Sequence, residues 1–149
     1  MAEMKTISEL QEEVIEEFDG LDDWMDRYAV IIDMGNALEP LDEAHKTPEN
    51  LIDGCQSRVW VHATTTADGL LHIEADSDAL IVKGIIAMLV RVLGDHTPHD
   101  ILEADLHFIA DIGLQDHLSP TRSNGLLAML RRIRDIAATA GAAQNENIQ

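Results

Sequence analysis

The sequence predicts an α+β architecture, helices packed on a small antiparallel β-sheet, and three observations carry that expectation. A single hairpin pattern stands mid-chain, at residues 59–75. Helix start signals and apolar residues at helical spacing flank it on both sides. Strands and helices do not alternate in the way that builds a parallel sheet. With 149 residues the chain can bury roughly 68–70% of its unfolded surface. Residues 1–140 are therefore expected to form one domain, followed by a disordered tail at 141–149, GAAQNENIQ.

Ser8 followed by Gln11 has the spacing of a capping box and predicts a helix to about Phe18, with Leu10, Val14 and Phe18 inward. Gly20 ends it. A second helix is expected from Asp22 to about Leu38, its first-turn acids matched to the helix dipole. Residues 39–54, with Pro40, Pro48, Asn50 and Gly54, read as loop. In the hairpin, Val59, Val61 and Ala63 alternate with polar or aromatic neighbours, as do Leu71, Ile73 and Ala75. A two-residue turn would set apolar positions opposite polar ones. A three-residue turn, Ala67-Asp68-Gly69 with Gly69 left-handed, sets Val61 opposite Ala75 and Ala63 opposite Ile73. Because a lone hairpin is unstable in water, covering helices or further strands are required.

Residues 78–93 are apolar nearly all round and predict a central helix, with Ser77, Asp76 or Asp78 as capping residues. Lys83 and Arg91 interrupt the stretch from Ala79 to Leu93, which also falls short of the roughly 20 apolar residues of a membrane span. The start, MAEMKTISEL, lacks the apolar run of a secretory signal. Thr97-Pro98 opens a short helix to about Ala104, and Ser119-Pro120 opens the last, to about Ala140.

Ten Lys and Arg against 28 Asp and Glu leave a formal charge of −18, with 15 of the acids in residues 1–50. Such a surface argues against binding nucleic-acid phosphate or anionic lipid. The only basic segment is the last helix, with Arg122, Arg131, Arg132 and Arg134. One cysteine excludes an internal disulfide and a paired-thiolate zinc site, which fits a reduced, cytoplasmic protein. His62 and His72, or His96 and His99, lack further ligands at metal spacing, so the histidines are expected on the solvated surface and no metal is expected.

Cys55 lies in Ile52-Asp53-Gly54-Cys55-Gln56-Ser57-Arg58-Val59-Trp60, where the long loop enters the first strand. A free cysteine is often a small buried apolar residue, but this polar, turn-forming setting suits an accessible thiol better. Gly54 permits backbone angles closed to other residues and a close approach by a partner. Arg58 and Asp53 act in opposite senses on a thiolate.

GCQSRVW at 54–60, SDALIVKG at 77–84 and HLSPTRSNGL at 117–126, in that order, resemble the SufE family of sulfur acceptors. The resemblance extends over roughly residues 5–140 and implies a two-layer fold of SufE/IscU type. It implies an accessory sulfur-transfer protein more than a stand-alone enzyme. A pyridoxal-phosphate cysteine desulfurase of SufS or CsdA type would be the partner and would carry the cofactor, with none on this chain. Cys55 would take the sulfur as a persulfide and pass it to an iron–sulfur scaffold such as a SufB-containing complex. Arg122 is implied as a thiolate helper near the cysteine loop, the alternative being that it pairs with an acid. Gly54, Gln56 and Ser57 would shape the loop, and Asp76, Asp78 and Arg58 would serve partner docking. Two other readings stay open. One is a cysteine–histidine hydrolase using His117 with Asp116 or Asp111. The other is a non-catalytic module binding through the acidic first third.

Overall fold

The computed structural model describes residues 5–52 and 57–148. Helix α1, Ile7–Phe18, is capped two residues ahead of Ser8: Thr6 is the N-cap, its side chain accepting from Glu9 N while the Glu9 carboxylate accepts from Thr6 N. This displaces the expected Ser8–Gln11 box and frees Gln11 for another task. Gln11 is buried, donating through Nε2 to Asp105 O at 3.0 Å and accepting from Phe108 N at 3.1 Å. Helix α2, Trp24–Ala37, is capped by Asp23. The following loop carries one short 3₁₀ turn, Glu43–His45.

Strands β1, Val59–Thr65, and β2, Leu71–Ser77, pair antiparallel in the expected register, Val61 opposite Ala75 and Ala63 opposite Ile73. Thr66 N bonds Leu70 O at 2.8 Å, which leaves Ala67, Asp68 and Gly69 as the turn, with Gly69 at φ 83°. Val59, Val61, Leu71, Ile73 and Ala75 face inward against α3, Leu80–Leu93. Helix α3 is the centre of the core, with Val82, Ile85, Ile86, Met88, Leu89, Val92 and Leu93 all buried.

Ser77 does not cap α3. It ends β2, its Oγ accepts from Ala79 N at 3.3 Å, and Ala79 is the N-cap without a side-chain bond. Helix α2 crosses α3 in backbone contact: a Cβ on Gly84 would lie 2.1 Å from Ile31 O. Only glycine fits there.

Helix α4, Pro98–Glu103, has Thr97 as cap and Pro98 in its first turn, as expected. Two short helices follow, α5 at Phe108–Asp111 and α6 at Leu114–His117. Helix α7, Pro120–Ile148, buries Leu126, Met129, Ile133 and Ala137 and runs past the stop expected near Ala140. Gly141 is a weak breaker, costing about 1 kcal/mol against alanine, and the residues after it include good helix formers. Among the described residues, no helix is long and apolar enough to cross a membrane.

His96 departs from the expectation of solvated histidines. It is 7% exposed, with Nδ1 2.8 Å from Gly94 O and Nε2 2.8 Å from Lys5 O, and so ties the start of the chain to the end of α3.

Candidate functional site

Asp53, Gly54, Cys55 and Gln56 lie outside the described residues. What the structure defines is the frame that holds them. Ile52 N donates to Val59 O at 2.8 Å, and Val61 N donates to Asn50 O at 2.9 Å. These bonds make Leu51 a one-residue extension of the sheet beside Trp60 and bring the chain before and after residues 53–56 side by side at the start of β1. Ile52 and Val59 are both buried, so the loop springs from a rigid base.

Two side chains from distant segments fasten that base. Asp78 Oδ1 accepts from Arg58 N at 3.0 Å, and Asp78 N donates to Arg58 O at 3.2 Å. Arg132, on α7, donates through Nη1 to Glu49 O at 3.1 Å and through Nη2 to Leu51 O at 2.8 Å. A guanidinium is suited to this because its fork of donors spans two carbonyls at once. The sequence marks Arg132 only as one of a basic group. Its place at the loop base depends on tertiary packing.

Ser57 and Arg122 lie on one cavity. With Val82, Ile85, Ser119 and Met129 they line a cavity of about 400 Å³ between the loop base, α3 and the start of α7. Ser119 Oγ accepts from Arg122 N at 3.2 Å, which places Arg122 in the first turn of α7, where the helix dipole is positive. The Arg122 side chain is exposed and forms no ion pair among the described residues. An uncommitted guanidinium and a helix N-terminus favour an anion at this cavity. Arg58 is exposed next to the loop, free of side-chain ion pairs among the described residues.

Asp76 is elsewhere in function, though only two residues from Asp78. At 6% exposure it is too buried for a docking surface. Its carboxylate accepts from Ser77 N at 2.8 Å and Leu41 N at 3.5 Å and lies 3.4 Å from both Lys46 Nζ and Lys83 Nζ. Burial pushes the Asp76 pKa up, but the Ser77 bond, Lys83, the Leu41 bond and Lys46 together outweigh it and hold the pKa below the ordinary 3.8. Lys83 is thereby a structural ion-pair partner. Asp78 is exposed and remains on the surface beside the loop.

Two groups of the hydrolase arrangement are engaged with other side chains. His117 stacks on Trp24 with ring centroids 3.7 Å apart, and Asp111 pairs with His107 Nδ1 at 2.7 Å. No group of three or more His, Cys, Asp and Glu residues able to hold a metal exists among the described residues.

Comparison with known proteins adds two findings. The model of the family described as SufE, the Fe-S metabolism associated domain, matches residues 12–137. The fold matches the solution structure of a hypothetical protein from Thermus thermophilus with a TM-score of 0.73 and 23% identity, over 89% of this chain and 96% of that one.

Proposed function

The chain belongs to the SufE family, which is associated with iron–sulfur metabolism, and from that premise we propose that it accepts sulfur from a pyridoxal-phosphate cysteine desulfurase of SufS type. Cys55 is the acceptor. Its thiolate attacks the terminal sulfur of the desulfurase persulfide; the S–S bond there breaks, the desulfurase thiolate leaves, and a Cys55 persulfide forms. No external oxidant is consumed, because the sulfane sulfur keeps its oxidation level as it moves. The persulfide is then delivered to an iron–sulfur scaffold such as a SufB-containing complex. Pyridoxal phosphate acts on the desulfurase.

The observation that carries this reading is the family match across residues 12–137, which encloses the chain's only cysteine. A single thiol suits a carrier: a second one nearby would attack the persulfide, close a disulfide and expel the cargo as sulfide. The fastened frame suits it too, because the chain is held at Leu51 and Ile52 on one side of the cysteine and at Arg58 and Val59 on the other. Arg122 stabilises the attacking thiolate, Arg58 and Asp78 face the partner, and Gly54, Gln56 and Ser57 shape the loop.

Desulfurase turnover tests the proposal. With L-cysteine and a SufS-type desulfurase, the protein raises sulfide or alanine release, Cys55→Ser abolishes the increase, and Arg122→Ala reduces it with the melting temperature unchanged. Stimulation that survives Cys55→Ser overturns the acceptor role.

A further inference from the structure

Away from the cysteine loop, a groove of about 730 Å³ runs between α2, the C-terminal half of α3 and β2. Its floor is closed, since Ile73, Ala75 and Met88 are buried, main chain included. Its sides are open. Val30, Met34 and Leu38, at four-residue spacing on α2, line one side and keep part of their apolar surface in solvent. Val90 does the same on α3, beside an Arg91 held by Glu17 of α1, and Ala37 is exposed. These side chains form an apolar strip along two packed helices, a surface suited to the apolar face of a third.

Carboxylates border the strip on both sides. Asp33 and Glu39 stand on the α2 side, and Glu74 and Asp95 on the β2 side, where Asp95 N bonds Leu71 O at 2.8 Å. Asp33, Glu39 and Glu74 form no salt bridge among the described residues, while Asp95 pairs with His72 at 2.9 Å. That hydrogen bond, aided by the charges of Asp95, Glu74 and Glu39, raises the His72 pKa against its burial, so this border already favours positive charge.

We infer that the groove binds an amphipathic helix of a partner protein, with apolar residues at i, i+3, i+4 and i+7 and Lys or Arg along both flanks. Its apolar face packs on Met34, Leu38 and Val90, and its cations meet Asp33 and Glu39 on one side and Glu74 on the other. The main chain of β2 takes no part, because a helix satisfies its own backbone bonds. A second copy of this chain offers no such helix. Its basic helix, α7, buries Leu126, Met129 and Ile133 in its own core, and Leu127 is the one large apolar side chain that it exposes among the described residues. The inference does not use Cys55 and stands or falls apart from sulfur transfer.

The probe is a fluorescein-labelled peptide of leucine and lysine, about 18 residues long so that a helix forms, with its leucines on one face. It is titrated into the full chain at physiological salt. A second peptide of the same composition scatters the leucines around the helix. The expected result is saturable binding that weakens about tenfold or more for the scattered peptide, and likewise in an Asp33→Lys/Glu39→Lys variant of unchanged melting temperature. Met34→Gln, which leaves the charge unchanged, weakens it as well. Glu16→Lys/Glu103→Lys, outside the groove, leaves it within about twofold, as screened distant charges should. In methyl NMR spectra the Val30, Met34, Leu38 and Val90 signals shift with the peptide, while those of the exposed Met25 and Leu102 stay in place. No saturable binding, equal affinity of the two peptides, equal loss in both charge variants, or shifts confined to methyls outside the groove overturns the inference. A free chain that sediments as a dimer, with groove methyl signals that shift on dilution, assigns the groove to a second copy and likewise overturns it.

Discussion

Asp76 and Asp78 show how two acids on either side of one serine take different work. Asp78, exposed, reaches back to the Arg58 backbone and pins the cysteine loop from outside. Asp76, buried, joins the residue 41–46 loop to α3 through Lys46 and Lys83. Because its native pKa lies below 3.8, the stabilisation it brings is complete above that pH and is lost as pH falls through the native value. Asp76→Asn therefore lowers stability at neutral pH and flattens the acid limb of a plot of melting temperature against pH. His72 has the opposite sign: its raised pKa stabilises the fold fully below 6.5, a gain lost as pH rises through the native value. An NMR titration finds His72 above 6.5, and Asp95→Asn moves it down. Neither arrangement is legible in the sequence, since Lys46 and Lys83 lie 30 and 7 positions from Asp76 and no local pattern ties them to it. Arg122 and Cys55 can be singled out from the sequence because they sit in short motifs, and Arg132 cannot because nothing about its neighbours distinguishes it from Arg131 or Arg134.

The elements that sequence periodicity specifies best are those whose two faces differ most. The hairpin register follows from one rule, since a slip by one residue would expose Val61 and Ile73 together. Helix α3 is equally legible, being apolar over most of its surface. Caps are less so: Thr6 displaces Ser8 because Glu9 returns its bond, while Ser77 is held by β2 pairing and so is unavailable to α3. The α2–α3 crossing predicts that Gly84→Ala forces the two backbones apart, costing about 1–3 kcal/mol or more as overpacking, read as a lower denaturation midpoint. The loop base predicts that Arg132→Ala loosens residues 53–58, so that Cys55 reacts faster with iodoacetamide and transfers sulfur more slowly. Arg132→Lys, with one donor centre instead of a fork, recovers only part of both. Unchanged Cys55 alkylation in Arg132→Ala would remove the clamp from the account.

At the scale of the molecule, a charge of −18 on 149 residues opposes compaction by self-repulsion. Added salt shortens the Debye length to about 3 Å at 1 M, so the melting temperature rises with sodium chloride between low and moderate concentration. The acids are concentrated toward the start of the chain, and the α7 guanidiniums of Arg122 and Arg132 stand at the cysteine loop. These guanidiniums set positive charge at the base of that loop, where the exposed Asp78 also stands. The central claim, that Cys55 holds transferred sulfur, is tested most directly by intact mass after incubation with a SufS-type desulfurase and L-cysteine. The account predicts a gain of one or more sulfur atoms that is reversed by reductant and absent from Cys55→Ser and from the sample without desulfurase. An unchanged mass beside a fully active desulfurase, or an equal gain in Cys55→Ser, would contradict it.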